Sequence, residues 1–133
     1  MRLQVRLAAA SGAADSLDPT NARDTTLVVG YQLRDRLGQV VYGSNTHHLG
    51  IRVPAPQPGG DTLLEFDFEA LLGPGNYALT LAVHPGADHL HGCHEWRDRA
   101  LVFEVRNAGL PAFEGVACLQ PQVRVRAGME AAP

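Results

Sequence analysis

The sequence TLVVGYQLRDRLGQVVYGSN, which occupies residues 26–45, decides the fold class of this chain. Apolar side chains recur at every second position from Leu27 to Leu33, and this is the period of a β-strand that buries one face. Residues 35–38 form a predicted turn, because the glycine at its last position can take the positive φ that a tight turn requires. Residues 39–45 then supply a second strand. The stretch therefore predicts an antiparallel β-hairpin.

The same two-residue period continues on both sides of the hairpin. It predicts further strands at residues 2–8, 62–68, 76–84 and 98–106, with two terminal strands at 113–119 and 123–126. Proline at alternate positions from Pro54 to Pro58 removes backbone donors that a sheet needs, so residues 52–61 are predicted to be a loop. Residues 69–72 are predicted to form one helical turn. The expected fold is an all-β, immunoglobulin-like antiparallel β-sandwich of seven to eight strands.

Composition limits the classes of function that are open to the chain. Its 133 residues suit a single domain, and a net charge of −3 offers no basic field for nucleic acid. All 11 basic residues are arginine, which excludes chemistry that needs a lysine, such as a P-loop or a Schiff base. No segment has the ~20 consecutive apolar residues that span a bilayer. Composition by itself therefore predicts a β-rich globular domain and no particular function.

A local feature near residue 75 favours an immunoglobulin-like sandwich. Residues 72–77 read LGPGNY, which places Tyr77 at the start of a strand directly after a tight turn. In sandwiches of this class a tyrosine in that position donates a hydrogen bond back to the crossing loop, an arrangement called the tyrosine corner. The alternative is an ordinary core tyrosine behind a Pro-Gly turn.

Three segments, in order along the chain, resemble the signature of one protein family. They are VGYQLRDRLGQVVYGSNT at residues 29–46, LGPGNY at 72–77 and WRDRALVFEV at 96–105. Together they resemble the C-terminal carbohydrate-binding domain of Wzt, the ATPase subunit of bacterial ABC transporters that export O-antigen polysaccharide. The resemblance covers about residues 26–105. This sequence departs from the family pattern in one respect, since the strand that usually precedes the one at 2–8 is either absent or cut off.

The resemblance implies a fold, an activity and partners. The domain would be an immunoglobulin-like sandwich, often a homodimer and sometimes with an exchanged terminal strand. It would bind the capped non-reducing end of O-antigen polysaccharide without catalysis and so couple chain completion to export. It would need no cofactor, no metal and no nucleic acid. The expected location is cytoplasmic, at the inner face of the bacterial inner membrane.

The resemblance also implies a larger assembly. The full-length protein would carry an N-terminal nucleotide-binding domain and would work with a transmembrane transporter subunit. This chain has no lysine and therefore no Walker A motif. Residues 1–133 are accordingly expected to be a single carbohydrate-binding domain taken from a longer ATPase subunit, with residues 120–133 as a flexible tail.

The outer face of one predicted sheet has the residue types that bind sugars. In an immunoglobulin-like layout the strands that start at Thr26, Gln39, Asn76 and Asp98 share a sheet, and its outer face carries several Gly and Ala residues that predict a shallow groove. Planar polar side chains and an aromatic platform are what a sugar ring requires. The alternative is an ordinary solvated sheet face. The expected carbohydrate-binding residues are Gln32, Arg34, Thr80, His84, Trp96 and Glu104.

Three other functions compete with glycan binding. A metal site could use the cluster His84, His89, His91, Cys93 and His94, but its spacing matches no structural zinc pattern. A glycosidase could use Glu65 and Asp67, which share one strand face, although carboxylates on an edge strand are usually solvated. The same sandwich could also be a structural dimerisation module of the transporter subunit. Binding and turnover of the polysaccharide would separate these classes.

Overall fold

The structure is a computed structural model that describes residues 1–9, 26–86 and 95–128. Within these ranges the chain forms strands and no helix, which confirms the predicted all-β class. No helix among the described residues is therefore long and apolar enough to cross a membrane. The seven strands are β1 (Arg2–Ala8), β2 (Thr26–Asp35), β3 (Val40–Asn45), β4 (Val53–Pro54), β5 (Asp61–Asp67), β6 (Gly75–Pro85) and β7 (Glu95–Val105).

The strands form two antiparallel sheets. The larger sheet has the order β3-β2-β6-β7, and the two-residue strand β4 pairs with β2 beyond the end of β3. The smaller sheet consists of β1 and β5. The four strands that were expected to share one sheet therefore do so. The loop predicted at 52–61 contains the short strand β4, in which Pro54 pairs with Thr26 at the sheet edge.

The core lies between the two sheets and uses the alternate residues that the sequence predicts to point inward. Val29 and Leu79, on neighbouring strands of the larger sheet, are completely buried. Leu3 and Val5 of β1 close the core from the other side. Burial of each such side chain stabilises the fold by about 1.5–3 kcal/mol. The core thus fixes which face of the larger sheet points outward.

The tyrosine corner is present. The Tyr77 hydroxyl donates a hydrogen bond of 2.7 Å to the carbonyl oxygen of Gly73, and the residue is buried. Burial raises the pKa of the Tyr77 phenol. The amide of Gly73 in turn donates to the carbonyl oxygen of Val116, at 2.8 Å. The corner therefore ties the start of β6 to the segment that follows β7.

Three predicted elements are wrong. Residues 69–72 do not form a helical turn: the amides of Leu71 and Leu72 donate to the carbonyl oxygens two residues before them, and the Leu71 carbonyl oxygen accepts from the amide of Cys118, at 3.0 Å. Residues 113–119 and 123–126 are not strands either, and the first range contributes only an isolated bridge to Leu72. Apolar alternation makes a strand only where another strand pairs with it, and the described chain offers these residues none.

Candidate functional site

A groove of about 390 Å³ crosses the outer face of the larger sheet from β3 to β7. Its position agrees with the predicted shallow groove, because the small residues of β2 and β6 form its floor. The residues that line the groove include Gly30, Gln32, Ser44, Asn45, His48, Thr80, Ala82, His84 and Trp96.

The strand register arranges four of these residues in one transverse row. Gly30 pairs with Asn45 on one side and with Ala82 on the other, and Ala82 pairs with Trp96. Two small residues therefore lie between an amide and an indole. The row extends over three strand spacings of about 4.8 Å each. Trp96 is 58% exposed, so much of this residue is accessible to a ligand.

Gly30 keeps the floor of the groove low. A Cβ atom built on Gly30 would lie 3.2 Å from the Cβ of Asn45 and 3.4 Å from the carbonyl oxygen of Ser44. Any side chain at this position would therefore occupy the groove and press on its amide wall. The glycine therefore matters for the space it leaves in the groove, because the backbone there has the extended conformation of a strand, which any residue can adopt.

A second row contains the polar residues Gln32 and Thr80, which pair with each other. The Oε1 atom of Gln32 accepts a hydrogen bond of 2.9 Å from Nε of Arg34, which orients the amide so that its NH₂ group remains a donor. The Thr80 hydroxyl donates to Oδ1 of Asp98, at 2.8 Å, and only 2% of Thr80 is exposed. Gln32 is thus the residue of this row best prepared to meet a ligand.

The end of β3 and the turn that follows it form the groove wall opposite Trp96. Oδ1 of Asn45 accepts from the amide of His48, at 2.8 Å, so Asn45 caps the turn that follows β3. Thr46 is buried, and its hydroxyl accepts from the amide of Val29, at 3.0 Å. These bonds hold the turn against β2 and place His48 at the groove.

The structure brings together four of the six residues that the sequence singled out. Gln32, Thr80, His84 and Trp96 line the groove. Arg34 does not line it but supports Gln32 from the next position on the same face. Glu104 pairs with Asn76, six residues along β6 from Ala82, which is about 20 Å away.

Sequence reasoning missed several residues at this site. Asn45 both caps the turn after β3 and lines the groove. Ser44 and His48 were not singled out, although both lie in or next to the GSNT motif. In the sequence, only their closeness to that motif marks them. The fold shows that the end of β3 and the turn after it lie at the groove.

The groove suits a neutral ligand rich in hydroxyl groups. Among the described residues, those that line it include no arginine, aspartate or glutamate. Its polar groups are amides, hydroxyls and imidazoles, which both donate and accept hydrogen bonds. Its apolar surface comes from an indole over small side chains, the usual combination in pockets for small ligands.

Most of the histidine cluster lies outside the described residues. His89, His91, Cys93 and His94 all belong to the range 87–94. In the part of the chain that the structure describes, no three His, Cys, Asp or Glu residues are placed to hold a metal ion.

Comparisons with known proteins give the groove a family context. A family model described as the Wzt C-terminal domain matches residues 20–119. A solved structure, the crystal structure of the C-terminal domain of wzt, is similar with a TM-score of 0.64 and 19% identity. The alignment covers 77% of this chain and 62% of that one, so this chain spans less than two thirds of that protein's length. At this identity the likeness demonstrates a shared fold. No curated protein matches the chain.

Proposed function

The chain belongs to the Wzt C-terminal domain family, and from this premise we propose that it binds the capped non-reducing end of an O-antigen polysaccharide without catalysing a reaction. One observation carries the proposal. An exposed Trp96 stands across a floor of Gly30 and Ala82 from the amide of Asn45, on the outer face of the larger sheet.

The chemistry of a sugar ring fits this arrangement. The weakly apolar C–H face of the ring would stack on the indole of Trp96, above the small residues of the floor. The hydroxyl edge would exchange hydrogen bonds with Gln32, Asn45 and His84, which offer both donors and acceptors. The lack of charged side chains among the described lining residues favours a mostly neutral polymer over an acidic one.

Recognition of a finished chain end would have a role in export. As part of the ATPase subunit of an O-antigen ABC transporter, the domain would hold a completed polysaccharide at the cytoplasmic face of the inner membrane. A nucleotide-binding domain of the same protein and a transmembrane subunit would then move it. The absence of lysine from this chain requires the ATPase motif to lie elsewhere.

The segment after Cys118 supports a homodimer as the working form. Leu119, Val123 and Val125 are 82–91% exposed, and two arginines alternate with the valines. Such alternation is typical of a strand that has one apolar face. Pairing of this segment with a second copy would bury that face and would add a strand to a sheet edge.

The proposal is tested by calorimetric titration of the protein with purified polysaccharide, capped and uncapped. We expect the capped polymer to bind more tightly. We expect Trp96→Ala to weaken binding about tenfold, since an aromatic contact contributes roughly 0.5–1.5 kcal/mol. Glu104→Ala is the matched control, because Glu104 lies on the same sheet face but far from the groove.

Four outcomes would contradict glycan binding of this kind. Equal affinity for capped and uncapped polymer would show that the domain does not recognise the capped end. Equal loss in the Trp96 and Glu104 variants would place the site elsewhere. Hydrolysis of the polymer would make the domain an enzyme, and neither binding nor hydrolysis would favour a structural dimerisation module.

A further inference from the structure

Strand β7 contains an irregularity directly beside the groove. Leu79 of β6 pairs with Leu101, but Leu81 pairs with Arg97. Residues 98–100 therefore lie opposite the single residue Thr80, which is two residues more than a regular ladder would hold. Arg99, in the middle of the bulge, has a φ of +49°, a left-handed conformation that residues other than glycine rarely adopt.

The bulge determines where Trp96 lies. If the pairing of Leu79 with Leu101 continued regularly, Trp96 would lie opposite His84. With two extra residues in β7 it lies opposite Ala82 instead, about 7 Å further along the sheet. Because the shift is an even number of residues, the indole stays on the outer face. The bulge therefore moves Trp96 along that face into the row that contains Gly30.

A side-chain hydrogen bond joins the bulge to the neighbouring strand. The Thr80 hydroxyl donates to Oδ1 of Asp98, at 2.8 Å, and Asp98 is the first residue of the bulge. Thr80 is 2% exposed, whereas Asp98 is exposed. A hydroxyl bound to a carboxylate belongs to the stronger class of hydrogen bonds. The buried hydroxyl is thus committed to Asp98 and is not presented to a ligand.

We propose that Thr80 and Asp98 are positioning residues that set the β7 bulge and thereby hold Trp96 in the groove. Thr80 then acts on the ligand through Trp96 and not by direct contact, which differs from its expected role as a polar contact. The consequence for affinity rests on the proposed glycan-binding function. The consequence for the position of Trp96 does not.

The experiment uses the intrinsic fluorescence of Trp96, the only tryptophan in the chain. Thr80→Val removes the hydroxyl and keeps the shape of the side chain, and Thr80→Ser keeps the hydroxyl. Asp98→Ala removes the acceptor at an exposed position, so it tests the same bond even if the buried Val variant does not fold. We expect altered emission and acrylamide quenching in Thr80→Val and Asp98→Ala, and the original signal in Thr80→Ser.

Titration with capped polysaccharide gives the second readout. We expect Thr80→Val and Asp98→Ala each to lower affinity by about the same tenfold factor as Trp96→Ala. Adding Trp96→Ala to either variant should lower the affinity little further, because both substitutions remove the same contribution to binding, that of Trp96.

Several results would overturn the positioning role. One is unchanged Trp96 fluorescence in a folded Asp98→Ala variant, and another is an altered signal in Thr80→Ser. Loss of affinity in Asp98→Ala with an unchanged Trp96 signal would instead make Asp98 a direct ligand contact. If the unmodified protein binds no polysaccharide, the proposed function fails, and the fluorescence comparison still decides the role of the hydrogen bond.

Discussion

At the scale of single residues, Gly30 shows how an absent side chain shapes the groove. The residues that pair with Gly30 on the two adjacent strands, Asn45 and Ala82, both line the groove. A Cβ atom on Gly30 would lie 3.2 Å from the Cβ atom of Asn45. That distance is shorter than ordinary van der Waals contact, so Asn45 would have to move by a few tenths of an ångström. The shape of the floor therefore depends on one missing methyl group.

We expect Gly30→Ala to weaken glycan binding several-fold while it changes the free energy of unfolding by less than about 1 kcal/mol. The new methyl group would occupy the floor, and a strand tolerates alanine. Calorimetric titration and urea unfolding measure the two effects. Gly60→Ala is the control, because Gly60 does not line the groove and its Cβ would have an ordinary contact of 3.4 Å with the carbonyl oxygen of Gln57. Unchanged affinity in Gly30→Ala would show that the ligand does not reach the floor.

Arg34 illustrates a residue whose role follows from its neighbour. The sequence marks it as a cation on the polar face, and in the structure its guanidinium orients the amide of Gln32. A fixed amide loses less conformational freedom when it binds a ligand than a free one does. Arg34 is thus proposed to contribute to binding through Gln32.

At the scale of elements, the β1–β5 pair has a ladder of charged partners on its outer face. Arg2 donates to Asp67 at 2.7 Å, Gln4 donates to Glu65 at 2.7 Å, and Arg6 pairs with Asp61. The hydrogen bond from Arg2 lowers the pKa of the Asp67 carboxyl. All of these groups are exposed, so each pair adds little stability.

The segment after β7 depends on a second glycine, Gly73. A Cβ at this position would lie 1.8 Å from the carbonyl oxygen of Gly115, so the two backbones approach too closely for any side chain. At the same place, the Gly73 amide donates a hydrogen bond to the carbonyl oxygen of Val116. The tyrosine corner and the C-terminal segment therefore form one packed unit.

We expect Gly73→Ala to displace residues 113–118 and to lower the free energy of unfolding by about 1–3 kcal/mol, as steric clashes in packed regions do. Faster hydrogen exchange at the amide of Cys118, which bonds to Leu71, would report the displacement. Gly128→Ala is the matched control, because a Cβ there meets open space. Equal exchange rates in both variants would contradict the close packing.

At the scale of the whole molecule, the two sheets differ in size, and the larger one ends in an open edge strand. Within the described residues the smaller sheet has two strands, and β7 ends the larger one as an edge strand with little burial. Open edges of this length are sites where another strand can add. The exposed segment 119–126 has the alternation to supply such a strand to a second copy.

We expect a chain that ends at Cys118 to be monomeric in sedimentation equilibrium, while the full chain is a dimer. Removal of the segment takes away the apolar alternation that supports pairing and leaves the groove residues in place. The fluorescence of Trp96 should therefore be unchanged. A truncated chain that remains a dimer would place the interface on another surface.

The sequence by itself determined most of the strands and their inward faces, and it offered the tyrosine corner as one of two interpretations. These features are local: period-two alternation selects the buried residues, and the LGPGNY turn places Tyr77 within reach of Gly73. The same alternation predicted the outer face and, on it, four residues of the groove. Alternation was wrong at 113–119 and 123–126, which form no strand, and the separately predicted helical turn at 69–72 was wrong where Leu71 bonds to Cys118.

Only the tertiary structure decided how the polar face becomes a groove. The bulge in β7 sets Trp96 opposite Ala82, and the hydrogen bond to Asp98 turns Thr80 from an expected contact into a support. The pairing register also leaves Glu104 far from the groove. Alternation along one strand fixes only which face a side chain occupies. Its position along that face depends on register and bulges, which arise when strands distant in sequence pair with one another.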